Sequence, residues 1–315
     1  MGIELCPAYR MRRGSRSLAG ACSIAGATRG GYSFAAIDSG AARVDGFDVR
    51  GVNVEKARFV ARVRGIENVN FEVSSCDEWL ARGEGVWDYV FLCGLLYHLV
   101  EPWRTLEEFR RRARRGIFLT CVLNGGEDGY TPFPESENIA ASEDPSEMSM
   151  MPNTSRTIME ELVKHGFQPA LVSESRSTNY WGGCSLFFRR LCGVRYVDLE
   201  LEGREHFDVY LGPGRNGVGY GLMVYNRSPE ARSVSGTLIV RDAGGNIVHT
   251  IGPGPLELEP RVHGVDDDAS TSAYLDLDID PQLPIPATVE IEIRSPDRGS
   301  VLTRRVLRVE QDENR

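Results

Sequence analysis

Over residues 17–123 the chain alternates two hydrophobic rhythms. Short apolar runs of β character fall at residues 17–24, 43–48, 69–73, 86–92 and 116–123. Between them, apolar positions recur at helical spacing over residues 31–42, 54–64 and 102–115, the last opening with Pro102 at its first turn. Alternating strands and helices predict an α/β domain built on a doubly wound parallel sheet with helices on both faces. A further helix is expected over residues 155–165. Two strand-like runs, 168–173 and 182–189, would close the sheet with an edge hairpin.

Two segments break this rhythm. Residues 124–151 hold several glycines and prolines and many carboxylates, with no basic residue, and read as a long acidic loop. From about residue 194 helical periodicity disappears. Eight short alternating runs follow, at 196–201, 207–211, 219–225, 236–240, 247–251, 273–277, 288–293 and 301–309, punctuated by Gly, Pro, Asn and Asp. Asp242-Ala243-Gly244-Gly245-Asn246 reads as a hairpin turn. This grammar predicts an all-β sandwich, immunoglobulin-like in its strand spacing. The expected domains are therefore residues 1–193 and 194–315.

Composition narrows the function classes. A net charge of −9 over 315 residues argues against general nucleic-acid binding. The basic run Arg110 to Arg115 lacks interleaved aromatics and reads as the solvated end of a helix. The seven cysteines are scattered and form no C-x-x-C, which suits buried thiols in a reducing, cytoplasmic setting rather than a disulfide frame or zinc site. No secretory leader or membrane span is legible, so no membrane role is expected. Asp266-Asp267-Asp268 lacks a calcium-loop pattern and reads as a solvated turn, so no metal is expected.

The candidate chemistry lies between Cys22 and Leu99. A glycine-rich turn, Gly26-Ala27-Thr28-Arg29-Gly30-Gly31, follows the first strand. Asp48 closes the second, and Gly94-Leu95-Leu96-Tyr97-His98-Leu99 follows the fourth. A glycine turn after one strand and an acid after the next is how a doubly wound sheet holds a nucleoside, the acid accepting from ribose hydroxyls. Each residue has a plainer reading. Asp48 would cap a turn, and Asp77 would be the N-cap of a helix starting at Glu78. Gly26, Gly30 and Gly31 would serve close packing, and His98 would be a backbone-bonded structural histidine. The functional reading makes His98 a general base, with Tyr97 beside it, at the carboxyl end of a central strand. The acidic loop reads either as a solvated excursion or as a lid. As a lid it would offer Tyr130, Glu135 and Glu137 to a substrate, an amine among the options, with Asn153 and Trp181 nearby.

On these residues the first domain resembles the class I S-adenosylmethionine (SAM) dependent methyltransferases. The resemblance implies a cofactor across Gly26, Thr28 and Gly30, with Asp48 on the ribose, Asp77 near the adenine and Gly94 opening the tail. The tail resembles the G-x-L-Y-H-L element of one branch that modifies small molecules and tRNA. It implies SAM-dependent methylation of a small molecule, free or carrier-bound, with natural-product biosynthesis among the settings. Two departures stand out: Ser23 or Ile24 occupies the place of the family's acid at the end of strand one, and Thr28 replaces its central glycine. They keep open an alternative in which the fold performs another displacement or ring closure, such as aziridine formation. Few residues precede the first strand, so cover for the site would come from the acidic loop, the β domain, a homodimer mate or another partner subunit.

Overall fold

The computed structural model describes residues 21–25, 30–82, 85–133, 148–163, 167–176, 182–190, 194–203, 207–213, 220–227, 232–252, 256–258, 272–277, 285–295 and 299–311. The chain divides into two compact units, residues 1–162 with 177–187, and residues 163–176 with 188–315.

In the first unit β1 (Ala21–Ala25), β2 (Arg43–Asp48), β3 (Val69–Val73), β4 (Trp87–Cys93) and β5 (Ala113–Leu123) pair in parallel, in the order β3-β2-β1-β4-β5. The sheet continues into β9 (Gly182–Arg190), most of which belongs to this unit, whereas β8 (Phe167–Arg176) belongs to the second. Strand order reverses direction between β1 and β4, which defines a switch point where ligands of open α/β sheets bind.

Strand alternation sends Val44 and Phe47 to opposite faces of the sheet. Val44 joins Ala36 of α1 (Gly31–Asp38) and Phe91 in one apolar cluster, while Phe47 stacks 4.7 Å from Trp79 of α3 (Cys76–Ala81). On the first face α1 is joined by α2 (Gly51–Arg64), whose Val54, Ala57 and Ala61 pack with Phe34 and Phe71. On the second, Phe109 of α4 (Pro102–Arg112) lies 6.4 Å from Phe47. Helices cover both faces, as the alternation predicts.

Several boundaries differ from the sequence reading. Helix α1 stops at Asp38 because Gly40 turns left-handed at φ 91° and the Ser39 hydroxyl bonds the Ala35 carbonyl at 2.9 Å. Helix α2 starts earlier, at Gly51, because extended Arg50 caps it and its carbonyl accepts the Asn53 N–H at 2.9 Å. The basic run is not one helix end. Arg110 to Arg112 close α4, whereas Arg114 and Arg115 belong to β5, where Ala113 is buried in register with Trp87. The expected acidic loop is partly structured, since β6 (Tyr130–Phe133) pairs antiparallel with β7 (Ser149–Pro152) ahead of α5 (Ser155–Val163). Cys76, Cys93, Cys121 and Cys184 are buried thiols.

The second unit is antiparallel. One sheet runs β10 (Val194–Glu202), β18 (Val301–Gln311), β17 (Ala287–Arg294), β13 (Arg232–Arg241), β14 (Ile247–Ile251), with β15 (Leu256–Leu258) also on β13. The other runs β11 (Phe207–Pro213), β12 (Tyr220–Asn226), β16 (Ser272–Leu277). Val209 and Val224 of the small sheet share a single apolar cluster with Val289, Ile291 and Leu307 of the large one. Arg305 crosses that core. It is nearly buried, forms a fork on Asp198 at 2.7 and 3.1 Å, donates to the Val209 carbonyl and stacks 5.4 Å from the Tyr210 ring. No helix among the described residues is long and apolar enough to cross a membrane.

Candidate nucleoside-binding cleft

Three connections at the carboxyl ends of β2, β3 and β4 line one cleft of about 830 Å³. The first holds Asp48. Its carboxylate is buried at 6% exposure, yet it forms no ion pair with a described residue. One oxygen accepts the Arg50 backbone N–H at 2.9 Å, and the other accepts the Asn53 side-chain amide at 3.1 Å. An ionised carboxylate offers about four lone-pair directions. One therefore remains on each oxygen, a pair of acceptors suited to two adjacent hydroxyls. Val49 follows, 49% exposed on the cleft wall, where an apolar side chain suits a flat ligand.

The second connection is Ser74-Ser75. Ser75, not Asp77, is the N-cap of α3. Its hydroxyl accepts the Glu78 N–H at 3.1 Å, and Glu78 returns a bond to the Ser75 N–H at 3.0 Å. This capping box satisfies the helix start, so Asp77 is an exposed first-turn acid on the cleft rather than a cap. Beside it burial pushes the Cys76 thiol up to about 12, against a smaller opposing effect of its bond to Thr105, so this lining group is an inert thiol.

The third connection begins at Gly94. Its φ of +68° favours glycine, and its N–H is anchored on the Thr120 carbonyl at 3.0 Å. A short 3-10 turn, Leu96–His98, follows, with the His98 N–H on the Leu95 carbonyl at 3.0 Å. The Leu99 carbonyl accepts Met150 N–H at 2.8 Å, which ties this tail to β7. His98 is exposed on the cleft, and the Tyr97 ring lies 4.1 Å from it. Burial of part of its ring lowers the His98 pKa, with the charge of Arg50 adding to the effect. Both effects favour the neutral form of the imidazole. Burial raises the pKa of Tyr97.

The fold brings Asp48, Asp77, Gly94 and His98 onto one cleft, with Tyr97 against it. Gly30 caps α1 in the left-handed region at φ 78°. A Cβ there would sit 2.4 Å from the Phe34 ring, so packing alone demands a glycine. Gly26, Thr28, Glu135, Glu137 and Trp181 lie outside the described residues. Asn153 is a hub rather than an open contact. Its amide donates to the Glu127 carbonyl at 3.0 Å, its oxygen accepts from Thr131 at 2.8 Å, and its backbone bonds Gly125 and Gly129. Tyr130 packs edge-on against Trp103 at 5.2 Å, and burial raises its pKa. Sequence reasoning missed Arg50 and Asn53, whose only signal was their place just after Asp48. It also missed Asp45, buried between Arg43 and the Trp87 indole N–H at 3.0 Å.

No family model matches this chain, and no curated protein does. Among solved structures it is similar to the N-terminal domain of EvdMO1, determined with SAH and D-fucose, at 21% identity and TM-score 0.44 over 54% of this chain and 76% of that one. It is also similar to the [4+2]-cyclase SpnF, at 16% identity and TM-score 0.43 over 57% and 77%. A third is the Burkholderia thailandensis 1,6-didemethyltoxoflavin-N1-methyltransferase with SAH, at 18% identity and TM-score 0.43 over 56% and 72%.

Proposed function

We propose that the cleft binds SAM and that the first unit transfers its methyl group to a small-molecule acceptor. The observation that carries this reading is Asp48. It is a buried carboxylate at the carboxyl end of β2, held by two donors, with one acceptor direction left on each oxygen. That arrangement fits a ribose diol. Val49 and Leu95 supply apolar surface for a flat base, and Asp77, on the same cleft, would accept from a base amino group.

SAM supplies, when bound, an electrophilic methyl on its sulfonium. The remaining work falls to alignment and proton removal by this chain. The neutral imidazole of His98 takes the proton from the acceptor's nucleophile. Tyr97, packed on the imidazole ring, fixes its orientation. The Leu99–Met150 backbone bond holds the turn that carries both against β7. The β domain read from about residue 194 is a β-sandwich that serves packing or self-association.

A second reading keeps the nucleoside and drops methyl transfer, and residue types at the end of β1 favour it. The acid that the resemblance implies there is replaced by Ser23 or Ile24. Calorimetric titration of SAM and S-adenosylhomocysteine into the full chain, followed by a screen for release of S-adenosylhomocysteine with candidate acceptors, separates the readings. Binding with turnover supports methyl transfer. Binding without turnover favours a repurposed pocket, and absence of binding to either nucleoside refutes both.

A further inference from the structure

Helix α2 is apolar on two sides. Val54, Ala57 and Ala61 fill its buried side. Val52, Phe59 and Val63 stand 59%, 58% and 70% exposed. At 3.6 residues per turn these three fall within about 40° of one another, on the side of the helix opposite the buried trio. Among the described residues Phe59 is the only phenylalanine left exposed. A second apolar stripe, on a helix whose core side is already packed, marks a surface that another chain covers.

The stripe has heptad form. Val52 and Phe59 take d positions, and Lys56 and Val63 take a positions. Glu55 and Arg62 then both take g positions, along one border of the stripe. Glu55 is exposed and touches Arg58 at 2.9 Å, an arginine that also donates to the Phe71 carbonyl. Arg62 is exposed and makes no ion pair with a described residue.

This pattern is complementary to itself. Laid antiparallel about a two-fold axis, two copies of α2 set Val52 of each against the partner's Val63. Lys56 lies over the partner's Phe59, where its stem covers the ring and its ammonium reaches water. Glu55 meets the partner's Arg62, and the symmetry repeats the pair. A parallel arrangement would instead bring Lys56 onto the partner's Lys56. An acidic helix of another protein would face Glu55 with like charge. Strand addition at the neighbouring sheet edge is blocked, since Arg58 occupies the Phe71 carbonyl of edge strand β3 at 2.6 Å and Glu72 is paired with Arg82.

We infer that the chain forms a two-fold homodimer in which α2 packs antiparallel on the partner's α2, with reciprocal Glu55–Arg62 pairs. The same patch serves both copies, so the contact closes at two. The interface is independent of the function proposed for the cleft.

The test is sedimentation equilibrium of the full chain at low salt, where surface ion pairs are screened least, at concentrations up to about 1 mM. Wild type should reach twice the monomer mass. Phe59→Glu and Val63→Glu should each weaken association by about 30-fold or more, whereas Val86→Glu, at an exposed valine off α2, should leave it unchanged. Glu55→Arg and Arg62→Glu should each weaken it by about threefold or more, because each sets like charges across both symmetric pairs. Mixed together, these two variants should associate with one another more tightly than either does with itself, since each supplies the charge the other lacks. Thermal midpoints report that every variant folds. A wild-type chain that stays monomeric over this range, a dimer indifferent to Phe59→Glu, or a mixture that associates no better than its parts overturns the inference.

Discussion

Replacing Asp48 by asparagine tests the nucleoside reading at its centre. The carboxylate accepts the Arg50 N–H at 2.9 Å and the Asn53 amide at 3.1 Å, leaving one acceptor direction per oxygen for a ligand diol. Asparagine keeps one oxygen and turns the other into a donor. If that oxygen stays on the Arg50 N–H, the new NH₂ faces the Asn53 amide, which must rotate to accept from it. Either way one hydroxyl loses its acceptor. A hydrogen bond to a charged group is worth about 1.5–3 kcal/mol, which sets the expected loss of affinity at about 10- to 150-fold. Asp48→Ala removes both acceptors and should cost at least about 100-fold. The assay is calorimetric titration of S-adenosylhomocysteine, paired with adenosine and 2′-deoxyadenosine. Wild type should prefer adenosine, and Asp48→Asn should lose most of that preference. Because Asp48 is buried, thermal midpoints are recorded so that a fall in stability is separated from a loss of contact. Affinity of Asp48→Asn within about threefold of wild type, a change of less than about 1 kcal/mol, would refute the ribose assignment.

Other outcomes follow from single sites. His98→Gln should cut turnover by about 10²- to 10⁴-fold with little change in S-adenosylhomocysteine affinity, and an equal loss in both would end the base role. The pKa of His98 lies below its ordinary 6.5, so its base form is already present at neutral pH. The acid limb of the rate profile should therefore have its midpoint below 6.5 and shift upward in Arg50→Gln, which removes a cation that disfavours protonation. Gly30→Ala should destabilise by about 2–4 kcal/mol in urea unfolding, from the left-handed backbone and the collision with Phe34, whereas Gly31→Ala, with nothing within 4 Å of its new Cβ, should be neutral or stabilising. In the β unit Arg305→Ala should cost about 2–4 kcal/mol through the Asp198 fork, the Val209 carbonyl and the Tyr210 contact, and Arg305→Met should cost less because its stem still covers the ring.

Much of the scaffold was legible because it is written in local spacing. The runs at 43–48, 69–73 and 247–251 coincide with β2, β3 and β14, and Arg64 closes α2 as read, with left-handed Gly65 as its stop. Asp48 and the Gly94–Leu99 tail were legible as strand-end groups for the same reason: an acid or a glycine at a strand end is a one-dimensional signal. The errors arose where neighbours in space overrode neighbours in sequence. Arg114 and Arg115 continue the basic run, but Ala113 is buried against Trp87, and the ladder to β4 takes them out of the helix. Asp77 is a good cap by residue type, yet the reciprocal bonds of Ser75 and Glu78 start the helix one position before it.

By itself, then, the sequence determined which elements form and which chemical groups end them, since hydrophobic period and turn residues act over a few positions. Which groups face one another was decided by the winding of the sheet. Arg50 follows β2 and His98 follows β4, and they share a wall only because β1 sits between those strands with all the carboxyl ends aligned. Asn153 became a hub only when β6 and β7 paired. Charge matching of this kind depends on distances through space, and local spacing along a chain does not encode them.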